Sequence, residues 1–190
     1  MRRPGRRFLS LVAAVLVVGV SIPAAVAQLS PDAKFVKAVK DGKLGEIQTW
    51  VVNGGNVNAR DANGVPAVVI AAEKGMAQVV QFLVTNGANP NAESRETGET
   101  ALMHAAVSGD ARVVRLLASH DADLDMIDDR GETALMKAAR AGSRAAAKAL
   151  LRGGADYSLE DYTGRTALQI AKDNRRRGVV EALMAAGAKY

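Results

Sequence analysis

The stretch Gly98-Glu99-Thr100-Ala101-Leu102-Met103-His104-Ala105-Ala106 returns as Gly131-Glu132-Thr133-Ala134-Leu135-Met136-Lys137-Ala138-Ala139, and again as Gly164-Arg165-Thr166-Ala167-Leu168-Gln169-Ile170-Ala171-Lys172. The spacing is 33 residues both times. Self-similarity at such a period marks a stacked array of small units. Upstream, Asp61 to Gly75 is a weaker copy. It puts Gly64 in register with Gly98, Gly131 and Gly164, with one extra residue falling between Ala92 and Thr97. Gly75, Gly109 and Gly142 each mark a turn into a second apolar stretch, and Gly42 holds the same place earlier. Those second stretches are Val79-Val80-Gln81-Phe82-Leu83, Val113-Val114-Arg115-Leu116-Leu117 and Val179-Val180-Glu181-Ala182-Leu183. They end in turn residues: Asn86-Gly87-Ala88-Asn89, Ser119-His120-Asp121-Ala122-Asp123, Gly153-Gly154-Ala155-Asp156 and Ala186-Gly187-Ala188.

Ser30-Pro31-Asp32 reads as a helix start, with Ser30 at the N-cap, Pro31 at the first helical position and an acid in the first turn. Phe35, Val36, Ala38 and Val39 make its apolar face, and Asp41-Gly42 ends it. A second helix is predicted from about Leu44 to Val52, with Ile47, Trp50 and Val51 on its apolar side. Asn53-Gly54-Gly55-Asn56 stops it with residues that tolerate positive φ. This first unit lacks the preceding turn motif, as befits a terminal cap.

Residues 1–27 read as a bacterial export signal. Arg2, Arg3, Arg6 and Arg7 precede an apolar run from Phe8 to Val20. Pro23 ends the run, and Ala25-Val26-Ala27 supplies small residues for cleavage between Ala27 and Gln28. The run is shorter than a spanning helix requires. The expectation is a processed periplasmic protein with no stable membrane anchor. An uncleaved, membrane-tethered scaffold is an alternative.

The net charge of +5 misleads. Four of the basic residues lie in that segment and no acid precedes Asp32, so residues 28–190 carry 21 basic and 20 acidic residues. A nearly neutral body gives no electrostatic footprint for nucleic acid. Without cysteine, disulfides and thiolate chemistry are excluded. Aromatics make up only 4%, which suits thin, closely packed helices.

At the registered positions the unit resembles an ankyrin repeat. Asp61, Asp128 and Asp161 stand three before their glycines, as that family's turn requires. Thr100, Thr133 and Thr166 match its Thr, Leu102, Leu135 and Leu168 its Leu, and Ala71, Ala105, Ala138 and Ala171 its first Ala. The resemblance covers residues 31–190 and implies an all-α ankyrin-repeat solenoid. It has about five stacked helix-turn-helix units with projecting β-turn fingers, at approximately 31–60, 61–93, 94–127, 128–160 and 161–190. The family's Pro is Ala at 67, 101, 134 and 167, and its His is Val69, Met103, Met136 and Gln169. Its Thr–His hydrogen bonding is therefore missing or altered, while Thr can still cap the helix. Ala146 and Ala147 replace the paired valines, so that interface must close up or stay thin. Arg175 replaces a turn glycine in the last unit.

Two histidines, His104 and His120, form no catalytic or metal-binding pattern, so neither catalytic residues nor a cofactor are expected. Met103, Met126 and Met136 offer an alternative reading as a periplasmic metal- or cofactor-handling protein, since thioethers select Cu(I). Packing is the plainer role for them, and no metal site is assigned. Arg175-Arg176-Arg177 is too short for a basic recognition segment. The resemblance implies a monomeric scaffold that binds an unidentified protein through finger tips and the exposed face of the first helices. By register the tips are Asn63 and Val65, Glu96 and Glu99, Arg130 and Glu132, and Tyr162 and Arg165. Glu73, Ser108, Arg140 and Asp173 extend the face along the first helices.

Overall fold

The structure is a computed structural model that describes residues 30–189. The expected export segment, 1–27, lies outside the described residues. The described residues form ten helices in order: α1 (Pro31–Lys40), α2 (Leu44–Val52), α3 (Ala67–Glu73), α4 (Ala77–Thr85), α5 (Ala101–Ser108), α6 (Ala111–Ala118), α7 (Ala134–Ala141), α8 (Arg144–Gly153), α9 (Ala167–Asp173) and α10 (Arg177–Ala185). They form five pairs. First helices stack in the order α1, α3, α5, α7, α9, and behind them α4, α6, α8 and α10 make a second layer. The fold is the all-α ankyrin solenoid that the repeat pattern implies.

Among the described residues no helix is longer than ten residues. Isolated helices of that length are marginal in water, so their stability comes from packing between units. The shared core contains Leu102, Met103, Leu135, Met136, Leu168 and Ile170 on the first helices, and Leu83, Leu117, Leu150 and Leu183 on the second. Ala71, Ala105, Ala138 and Ala171 are at most 1% exposed, and their small side chains let adjacent first helices approach closely. Ala146 and Ala147 are fully buried, so the interface at α8 closes up around them.

Local chemistry explains the helix ends. The Ser30 hydroxyl accepts from the Ala33 amide at 3.2 Å, with Pro31 in the first turn. Thr100, Thr133 and Thr166 accept from the amides of Met103, Met136 and Gln169, so capping survives the loss of the family's His. Gln169 returns the bond, its Oε1 accepting from the Thr166 amide at 2.7 Å, and so completes a capping box. The turns between paired helices need a left-handed residue. Gly42, Gly75, Gly109 and Gly142 supply it, whereas the last unit forces Arg175 to φ 55°. Among the described residues Asp121 is the other non-glycine one at positive φ, 60°, where neighbouring units place Gly87 and Gly154.

Candidate partner-binding face

Each first helix from α3 onward is preceded by a finger closed by a single antiparallel bridge: Arg60–Pro66, Glu93–Thr100, Ile127–Thr133 and Glu160–Thr166. Inside three of them an aspartate folds the turn. Asp61 Oδ1 accepts from the amides of Asn63 and Val65, Asp128 Oδ1 from Arg130 and Glu132, and Asp161 Oδ1 from Thr163 and Arg165, all between 2.8 and 3.0 Å. The second finger carries the extra residue and has Ser94 in the aspartate's place. Its turn is held instead by the Gly98 amide on the Ser94 carbonyl and the Glu99 amide on Thr97 Oγ1.

These bonds perturb the carboxyls. Burial works to raise Asp161, but hydrogen bonds from the Thr163 hydroxyl, two backbone amides and Arg165 outweigh it and hold the group at about 2. Asp61 and Asp128 are also lowered. In each, burial opposes and a lysine, Lys40 or Lys137, combines with backbone amides to win.

The fingers are coupled to one another. The Asp129 amide donates to the Thr97 carbonyl at 3.1 Å, and the Tyr162 amide to the Arg130 carbonyl at 3.3 Å. Arg60 donates to carbonyls in two fingers, Gly64 at 2.7 Å and Glu93 at 2.6 Å. The close approach explains the finger glycines. A Cβ on Gly131 would stand 2.7 Å from the Tyr162 ring, and one on Gly64 would stand 2.4 Å from the Arg95 side chain.

Side chains expected on the recognition face fall into two sets. Asn63, Glu96, Arg130 and Tyr162 are exposed at the tips, Tyr162 by 71%, and Val65 is half-buried. On the helix ends Glu73, Ser108 and Asp173 are exposed as well. The second set is tied up internally. Glu132 is 3% exposed and pairs with Arg140, with Lys137 Nζ 3.8 Å away. It stands inside the finger, not on its tip, because its amide is pulled onto Asp128. Glu99 is held by Lys137 at 2.5 Å and faces His104 Nε2 at 3.4 Å. Arg165 bonds to Asp161 Oδ2 at 3.0 Å and Thr163 Oγ1 at 2.8 Å.

In the sequence Lys137 stands within the repeated stretch with nothing beside it to mark it as a charge centre. The signal available was its position: it follows two turn acids, Asp128 by nine residues and Glu132 by five. Also missed was a ladder between successive units, two residues ahead of the bridges that close the fingers. Asn58 Oδ1 accepts from the Asn89 amide at 2.7 Å, Asn91 Oδ1 from Asp123 at 2.8 Å, and Asp125 Oδ1 from Asp156 at 2.9 Å. The pattern was visible as Asn56-Val57-Asn58, Asn89-Pro90-Asn91 and Asp123-Leu124-Asp125 at the repeat spacing.

Met103 and Met136 are each 1% exposed within the core, whereas Met126 lies partly buried between α6 and α7. Complete enclosure among apolar side chains is the role of an adaptable filler, and it lends the copper reading no support.

Finger, helix pair and left-handed turn, repeated and stacked, define a repeat solenoid whose units are held together by their neighbours. A family model for ankyrin repeats (3 copies) matches residues 35–128 and 121–190. The chain belongs to the ankyrin-repeat family. It is 30% identical over 89 residues to an ankyrin repeat-containing protein of Treponema pallidum (strain Nichols), a match covering 47% of this chain and 30% of that protein. The match therefore spans less than a third of the relative's length. Ankyrin repeats generally mediate protein–protein interaction and are typically non-enzymatic scaffolds.

Proposed function

We propose that this protein is a periplasmic scaffold without chemistry of its own, which recognises a protein partner through its finger tips and the exposed ends of its first helices. The observation that carries the reading is the tip row Asn63, Glu96, Arg130 and Tyr162, exposed on fingers whose second, third and fourth members are joined by backbone hydrogen bonds. Rigid fingers present side chains at low ordering cost, which favours binding. Tyr and Arg are the types that most often dominate interface energy, so Arg130 and Tyr162 carry the recognition, with Asn63, Val65 and Glu96 around them. Glu99, Glu132, Arg140 and Arg165 act by holding the fingers in shape. The mixed charge of the row favours a protein surface over a polyanion.

Affinity capture from periplasmic extract tests the reading. The Arg130→Ala, Tyr162→Ala double variant should keep its fold and lose the captured protein. Retention at wild-type affinity, with loss on substitution of the second-helix face, would overturn it. Export is tested separately by N-terminal sequencing of the osmotic-shock fraction, which should begin at Gln28. Recovery only in membranes with Met1 retained would favour the tethered alternative. Among the described residues, no helix is long and apolar enough to cross a membrane.

A further inference from the structure

The outer face of the second-helix layer differs from the finger row in charge. Helices α6, α8 and α10 carry Arg112, Arg115, Arg144, Lys148, Arg152 and Arg177, with Glu181 as their one acid. Arg112 reaches Asp110 at 3.5 Å, and Arg144 and Arg177 share Glu181 at 3.6 and 3.2 Å. Among the described residues Arg115, Lys148 and Arg152 have no acidic partner. All three line one groove between α6 and α8, of about 420 Å³, whose remaining wall is Ala111, Ala118, Ala145, Ala149 and Gly153. Ala149 sits where the register places Phe82 in α4 and Leu116 in α6, so the space those side chains fill elsewhere is open here. A smaller groove of about 260 Å³ between α8 and α10 shares Lys148 and Arg152 and continues the surface.

We propose that this groove docks an acidic, amphipathic peptide segment of a partner protein, independently of the finger face. An alanine wall is apolar and allows close backbone approach, while three unpaired cations on its rim call for carboxylates. The eight-residue α6 and ten-residue α8 set a groove length of roughly 12–15 Å, which accepts two to three helical turns. The chain's own N-terminal segment has the wrong charge to occupy it, with Arg2, Arg3, Arg6 and Arg7 and no acid before Asp32. A flat bilayer would meet the cations but not the groove floor. A nucleic acid would be held by the rim alone and leave the alanines uncovered.

The probe is a fluorescent helical peptide of Glu, Ala and Leu, about 14 residues long, so that two to three turns seat in the groove and the ends extend past it. Anisotropy with the full mature protein should show saturable binding that weakens with salt. The Arg115→Glu, Lys148→Glu, Arg152→Glu variant should weaken it at least about tenfold, and Ala145→Trp should do the same by filling the groove with every charge intact. Arg115→Gln serves if the triple variant fails to fold by circular dichroism. The Arg130→Ala, Tyr162→Ala variant should bind the peptide unchanged, so failure of the finger reading and of this one are separable. Equal binding of a peptide with Lys for Glu, binding indifferent to the triple variant and Ala145→Trp, or loss in the finger variant would overturn the proposal. So would tighter binding of phosphatidylglycerol vesicles or single-stranded DNA than of the peptide.

Discussion

The Lys137 ammonium lies 2.5 Å from a carboxylate oxygen of Glu99, 38 residues earlier in the chain, and so ties α7 to the finger of the preceding unit. The same ammonium is 2.8 Å from Asp128 Oδ2, and only 8% of the Lys137 side chain is exposed. Burial works to lower its pKa, but hydrogen bonds to Asp128 and Glu99 outweigh it and leave the group raised. One cation thus compensates acids from two repeats, in a setting where removing a partner leaves charge buried.

Lys137→Met is expected to destabilise the protein by about 3 kcal/mol, since Asp128 and Glu132 would remain enclosed with less compensation. Urea denaturation measures it. In a double-mutant cycle with Glu99→Gln the coupling should exceed ~1 kcal/mol, the upper end for exposed pairs. A coupling near zero would make Lys137 an ordinary surface lysine.

Arg175→Gly should stabilise the protein by about 1 kcal/mol, because a left-handed conformation is costly for a residue with Cβ. Asp121→Gly should gain less, as Asp tolerates that region better than Arg does. Thermal unfolding of the two variants decides it; a loss of stability in Arg175→Gly contradicts the strain argument.

Acid sensitivity should trace to the finger aspartates. Asp161 has a folded-state pKa of about 2, below its unfolded value, so its contribution is complete above about pH 4 and is lost as pH falls through about pH 2. Denaturation midpoints at intervals across that window should fall more steeply for wild type than for Asp161→Asn. Parallel curves would mean that other carboxyls govern acid unfolding.

The ladder has one incomplete rung. Asn58 and Asn91 also donate through Nδ2 to the carbonyls of Gly87 and Asp121, at 3.3 and 3.2 Å. Asp125 only accepts. Asp125→Asn should add the missing donation toward Gly154 and stabilise by about 0.5–1 kcal/mol, whereas Asn91→Ala should cost about 1–2 kcal/mol. Chemical denaturation of both variants checks the opposite signs.

Hydrogen exchange should be faster in residues 143–190 than in 67–118. Ala146, Ala147 and Ala149 bury less apolar area at α8 than Val113, Val114 and Leu116 provide at α6, and burial scales with area at about 25 cal/mol/Å². Uniform protection would show that the alanine interface is as strong as its neighbours.

The sequence by itself determined the repeat, its period, the helix pairs and the caps, because these depend on local chemistry. Thr133 binds an amide three residues away, Gly109 supplies its own left-handed φ, and Leu102 and Leu135 report their common burial by recurring at one position. Tertiary structure decided which charged groups face water. Glu132 and Arg130 are neighbours in one finger with similar claims to exposure, yet Glu132 is enclosed and Arg130 is open. That difference is set by Lys137 and Arg140 converging on Glu132, and by Glu99 arriving from the previous unit. Such partners lie far apart along the chain, and periodicity carries no information about ion pairs between units. The unpaired rim of Arg115, Lys148 and Arg152 is likewise a property of the assembled surface: the residues are present in the sequence, but their lack of acids depends on which helices stand side by side.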